Sequence, residues 1–251
     1  AIAVAEAALD ALDRLDAVAG QNVPVQVRCG IARHPTDGED MESLLHAAEA
    51  AMHEAKRMRR TLVTHSPELR ASYGERFKLQ RDLDAALERG QLFLLYQPIV
   101  RLADGGIDAC EALLRWRHPE LGVVSPGEFI PLLEESGRIV EAGNWVLETA
   151  MRDARDWETG RDGVAADGAA PKVCVNVSRE QLLAEDFPDV VAGALARTGI
   201  APARVTLELT ESLAMDRPER VLDAMARLHA QGVRIAMDDF GTGYSSLAYL
   251  K

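Results

Sequence analysis

Five oxygen-bearing side chains stand out by type and position: Glu111, Asn176, Glu208, Asp238 and Asp239. Each falls within or at the end of an otherwise apolar segment. In residues 109–116 (ACEALLRW) the pleat of a strand puts Glu111, Leu113 and Arg115 on one face and Ala112, Leu114 and Trp116 on the other. In 172–178 (KVCVNVS) Cys174, Asn176 and Ser178 oppose Val173, Val175 and Val177. In 204–211 (RVTLELTE) Thr206, Glu208 and Thr210 oppose Val205, Leu207 and Leu209, and 233–240 (VRIAMDDF) ends in the adjacent pair Asp238 and Asp239. An acid inside a strand is costly without a partner. Several acids at the same end of successive strands repel one another, so the pattern calls for a cation. Donors that are all oxygen suit a hard ion such as Mg2+ or Mn2+ and not zinc held by thiolates and imidazoles. Adjacent aspartates at a strand end could serve two ions, and two-metal sites clamp the attacking and leaving oxygens of a phosphoryl displacement.

Plainer readings stand beside these. Asn176 could cap a helix starting near Arg179, Arg115 could be the counter-ion of Glu111, and Asp238 and Asp239 could be solvated strand-end acids. Cys174 reads as packing, and the six histidines show no ligand spacing with a carboxylate partner.

The segments that must position these residues alternate between strand and helix. Strands are expected at 92–100, 109–116, 172–178, 204–211 and 233–240, and helices at 126–136, 139–158, 179–198 and 217–231. The last three strands recur at the length of a βαβ unit. This alternation implies a largely parallel sheet or barrel, and in a (β/α)8 barrel catalytic groups collect at the C-terminal strand ends. Upstream, residues 1–19 have helical spacing, 23–32 alternate as a strand, Asp40 could cap a helix to about Arg57, and 61–65 read as a short strand. Residues 66–90 are charged and mostly helical, ending at Gly90.

Composition narrows the function classes. The chain has 251 residues, 47% hydrophobic and 27% charged, which excludes general disorder. A net charge of -12 leaves no basic footprint for duplex nucleic acid. Cys29, Cys110 and Cys174 lie far apart with no CxxC pair, which fits a reducing compartment. No apolar run approaches the ~18–20 residues that span a bilayer, and no signal peptide is visible. The expected location is cytoplasmic, with room for an upstream inner-membrane anchor in the parent protein.

The motifs YQPI (96–99), EALLRW (111–116), SPGEFIPLLEESG (125–137), VNVS (175–178), ELTES (208–212) and DDFGTGYSSLAYLK (238–251) together resemble the EAL family of cyclic di-GMP phosphodiesterases. Residues 29–56 (CGIARHPTDGEDMESLLHAAEAAMHEAK) resemble the C-terminal part of a GGDEF diguanylate cyclase domain. The resemblance implies an α/β fold: a partial TIM-like (β/α)8 barrel after the tail of an α/β GGDEF domain. It divides the chain into a GGDEF part (1–65), a linker (66–77) and the N-terminal part of an EAL domain (78–251). Carried over position by position, the metal ligands are Glu111, Asn176, Glu208, Asp238 and Asp239. Gln97, Leu113 and Arg115 lie at the bound dinucleotide, Arg115 meeting a phosphate. Glu211 is the acid that anchors the loop after the strand at 233–240. The implied reaction is hydrolysis of cyclic di-GMP to linear pGpG with two Mg2+ or Mn2+ ions, and the alternative is a non-catalytic cyclic di-GMP receptor or scaffold. The implied partners are cyclic di-GMP, a second copy through the EAL domain, and an upstream sensory domain in the parent. The stretch after Gly90 is shorter than the ~200 residues of the smallest such barrel. The chain by itself is therefore expected to be inactive, with the family's later lysine, glutamate and glutamine lying past Lys251.

Overall fold

The computed structural model describes residues 2–13, 27–58, 60–157, 170–210 and 218–238. It divides after Arg81 into two compact units. In the first, α1 (Ile2–Asp13) is followed by β1 (Cys29–Ile31), α2 (Met41–Arg57) and β2 (Leu62–Thr64). Strands β1 and β2 pair in parallel, with α2 as their crossover. The helix begins where expected: the Asp40 carboxylate accepts from the Ser43 amide at 2.8 Å, and the Ser43 hydroxyl accepts from the Asp40 amide. Its buried face is all alanine (Ala47, Ala50, Ala51, Ala55). Small residues let the strand come close, and at Gly30 a Cβ would collide with the backbone of Ala48 and Met52. The expected strand at 23–32 is reduced to β1 among the described residues, and 23–26 lie outside them.

Helix α3 (Pro67–Asp84) runs through the stretch expected as linker. Turns follow to Gly90, which takes the left-handed conformation (φ 62°). The second unit then contains β3 (Leu92–Val100), β4 (Ile107–His118), β5 (Gly122–Val124), α4 (Pro126–Glu135), α5 (Ile139–Trp157), β6 (Lys172–Asn176), α6 (Arg179–Leu183), α7 (Phe187–Thr198), β7 (Val205–Thr210), α8 (Pro218–Ala230) and β8 (Arg234–Asp238). The sheet order is β3-β4-β6-β7-β8, with β5 paired to β4, and it is not closed among the described residues.

Two features depart from the sequence reading. Strands β4, β6, β7 and β8 are parallel, but β3 and β5 are antiparallel to β4. The connection from β3 to β4 is too short to hold a crossover helix, so the pair must form a hairpin. The single helix expected at 179–198 is broken at Ala184, whose ψ of 128° is extended. Pro188 lies in the first turn of α7, where its missing N–H is harmless, but it cannot continue a helix arriving from α6.

The helix-facing side of the sheet is apolar, as the pleat requires. Val173, Val175, Val205, Leu207 and Leu209 pack against Leu147 and Met151 of α5, Val191 of α7 and Leu228 of α8. Full burial of one such side chain contributes roughly 1.5–3 kcal/mol. This packing fixes the pleat, and the pleat turns the polar set to the opposite face.

Candidate active site

Sheet register brings the polar residues together. Gln97 of β3 lies opposite Glu111 of β4, Glu111 opposite Cys174 of β6, Asn176 of β6 opposite Glu208 of β7, and Thr210 of β7 opposite Asp238 of β8. Residues from five neighbouring strands therefore share one face. The Asn176 amide nitrogen donates to Glu111 Oε1 at 2.8 Å. That contact assigns Asn176 to its neighbour strand, and Ser178 takes the role of helix cap in its place. With its nitrogen held by Glu111, Asn176 presents its amide oxygen.

Charges crowd at Glu208. Burial pushes its carboxyl up, a hydrogen bond from the Cys174 thiol pulls it back, and the nearby Glu111 and Asp238 push it up again. Burial, reinforced by Glu208, pushes the Cys174 thiol up to about 12. A cation would relieve the repulsion among Glu111, Glu208 and Asp238, and the donors available to it are oxygens, as Mg2+ or Mn2+ requires. Among the described residues no three Asp, Glu, His or Cys side chains converge tightly enough to enclose an ion. Asp239 and Glu211 lie outside the described residues.

Arg115 forms no ion pair with Glu111. It donates instead to the Leu114 carbonyl at 2.8 Å. Leu113, between Glu111 and Arg115 on the same face, is half-buried. On the helix side Tyr96 donates to Asp153 at 2.6 Å and packs edge-on against Trp157, centroids 5.0 Å apart. Tying β3 to α5 through Tyr96 directs the next residue, Gln97, to the site face.

Sequence reasoning missed several contacts. His118 meets Asp82 at 3.2 Å, and His65 meets Asp37 at 3.1 Å, so two histidines do have carboxylate partners, each far away in sequence. Arg117 lies over the Phe93 ring, 4.7 Å from its centroid, on the Arg115 face. Gln181 of α6, the helix that follows the strand ending at Asn176, is buried. The last was detectable, since Ser178 and Gln181 have the S-x-x-Q spacing of a capping box.

Comparison with known proteins places the chain in a family. Residues 80–251 match the EAL domain family, and residues 1–61 match the family described as diguanylate cyclase, GGDEF domain. The chain belongs to the EAL domain family. The EAL structures it resembles are TIM-like barrels, and the described strands form part of such a sheet. EAL phosphodiesterases generally depend on a divalent metal. The bifunctional diguanylate cyclase/cyclic di-GMP phosphodiesterase MucR of Pseudomonas aeruginosa is 42% identical over 235 residues, 93% of this chain and 33% of MucR. The cyclic di-GMP phosphodiesterase NbdA of the same species is 37% identical over 94% of this chain and 29% of its own length. The chain thus spans about a third of the length of each of these two relatives. Among solved structures, the MucR phosphodiesterase in complex with c-di-GMP is 44% identical, with a TM-score of 0.63, covering 69% of this chain and 68% of that one. The EAL enzyme Bd1971 bound to cAMP and cyclic di-GMP is 32% identical, with a TM-score of 0.63 over 71% of this chain and 48% of that one. No described helix is long and apolar enough to cross a membrane.

Proposed function

We propose that the protein carrying this chain hydrolyses cyclic di-GMP to linear pGpG at the sheet face formed by Glu111, Asn176, Glu208 and Asp238, with Asp239 completing the ligand set. The observation that carries the reading is the Asn176–Glu111 contact beside Glu208 on adjoining strands, in a chain 44% identical to a phosphodiesterase solved with c-di-GMP. A pair of Mg2+ or Mn2+ ions, when bound, would activate water and neutralise charge on the phosphate. The residues themselves do the positioning. Glu111 holds the Asn176 amide so that its oxygen faces the other donors. Arg115 offers guanidinium donors to a phosphate, while Gln97 and Leu113 line the nucleotide. Glu211 is assigned to anchoring the loop after β8. On this reading the sequence comprises a GGDEF part (1–65), a linker (66–77) folded into the start of α3, and an EAL part (78–251). The protein acts in the cytoplasm, with a second copy through the EAL domain and an upstream sensory domain as further partners.

Turnover assays on the full-length protein test this reading. With Mn2+, cyclic di-GMP should be converted to pGpG. With Ca2+, which takes more ligands in looser geometry, the nucleotide should bind and turnover should fall by about a hundredfold, the cost of misplacing reacting atoms. Binding without product in Mn2+ would instead favour a receptor.

A further inference from the structure

Behind the site, Gln181 of α6 is 2% exposed, and both ends of its carboxamide are hydrogen-bonded. Its Oε1 accepts from the Ser178 amide at 3.2 Å and from the Ser178 hydroxyl at 3.2 Å. The Gln181 backbone N–H donates to Ser178 Oγ at 3.2 Å, and Nε2 donates to Asn144 Oδ1 of α5 at 3.0 Å. Gly143, beside Asn144, makes room for it, since a Cβ at 143 would overlap the Gln181 carboxamide. A capping box needs only the bonds to Ser178. The additional bond to Asn144 and the glycine cradle tie that cap to a different helix.

Ser178 stands two residues after Asn176. Between them the Val177 amide donates to the Glu208 carbonyl at 2.9 Å. The segment leaving β6 is therefore held on one side by β7 and on the other by α5 through Gln181. Asn176 itself is exposed, so packing does not set its direction.

We propose that Gln181, cradled by Gly143 and Asn144, is a positioning residue that fixes the Asn176 side chain for cation binding. The proposal rests on the reading of this face as a metal-dependent phosphodiesterase site. Groups that orient metal ligands from behind typically change metal affinity by 10–100-fold when removed.

Gly143→Ala is the informative variant. It displaces the carboxamide, which is the end of a flexible side chain, while alanine favours the α5 helix over glycine. Mn2+ affinity of the full-length protein is measured by paramagnetic resonance, together with kcat, KM and thermal melting, for wild type, Gly143→Ala, Gln181→Ala and Gln181→Glu. The expected result is Mn2+ binding weakened about tenfold in Gly143→Ala and Gln181→Ala. KM for cyclic di-GMP should change less than kcat, and the loss of Mn2+ affinity in Gly143→Ala should exceed what any fall in Tm accounts for. Gln181→Glu, which keeps an acceptor for Ser178, should recover part of the Mn2+ affinity. Unchanged Mn2+ affinity in Gly143→Ala and Gln181→Ala, or losses that only track Tm, would overturn the proposal. If wild type binds Mn2+ but releases no pGpG, the phosphodiesterase reading fails while the Mn2+ comparison still decides the role of Gln181. A wild type that binds no Mn2+ overturns both.

Discussion

Arg115 separates two readings that one residue type permits. As the counter-ion of Glu111 it would sit against that carboxylate; instead it bonds to the neighbouring Leu114 carbonyl, and its charge is available to a ligand on the site face. Replacement by alanine should therefore raise KM for cyclic di-GMP by tenfold or more, a loss on the order of one charge-assisted hydrogen bond, with a smaller effect on kcat. Steady-state kinetics with saturating Mn2+ check this, and an unchanged KM would return Arg115 to a structural role. Glu111, Asn176, Glu208 and Asp238 were legible in the sequence because each is polar in an apolar strand. The pairing of Asn176 with Glu111 was not legible. The two are 65 positions apart, and only strand register decides that they meet. The same holds for His118 with Asp82 and His65 with Asp37, whose partners come from other elements.

Elements were read well where periodicity was strong and poorly where a connection decided the outcome. The strand expected at 92–100 matches β3, and the helix expected at 139–158 matches α5 within a residue. The antiparallel start of the sheet depended on the length of the loop between β3 and β4, which hydrophobic pattern does not weigh. The break between α6 and α7 depended on Pro188, hidden in an otherwise helical pattern. Strand β5, three residues long, has too few residues to show a period. In the first unit, the buried pair Asp37–His65 ties the segment before α2 to the residue after β2. Burial pushes the Asp37 carboxyl up, but hydrogen bonds from His65 and from the Arg33 amide outweigh it and hold it below 3.8. A carboxyl depressed on folding stabilises above its unfolded value and loses that contribution as pH falls through its folded value. The first unit should therefore lose stability below about pH 4, the ordinary Asp value. Melting curves from pH 7 down to pH 3 should show this loss for wild type. The acid-dependent part should be smaller for Asp37→Asn, and equal acid dependence in the two would contradict the role of the pair.

On the scale of the whole molecule, a net charge of -12 works against an anionic dinucleotide, and the strand-end acids sharpen the conflict where the substrate must sit. A divalent cation resolves it locally, and Arg115 adds positive charge on the same face. The GGDEF match at residues 1–61 precedes the EAL match at 80–251, and the chain spans about a third of the length of MucR. The direct measurement is pGpG release by the full-length protein in Mn2+, wild type against Glu111→Ala. Removing Glu111 takes away an anionic donor and the partner of the Asn176 amide together. Turnover should fall by about a hundredfold or more, the usual cost of losing one electrostatic group at a reacting centre, with folding intact by circular dichroism. Near-normal pGpG release from Glu111→Ala would contradict the account.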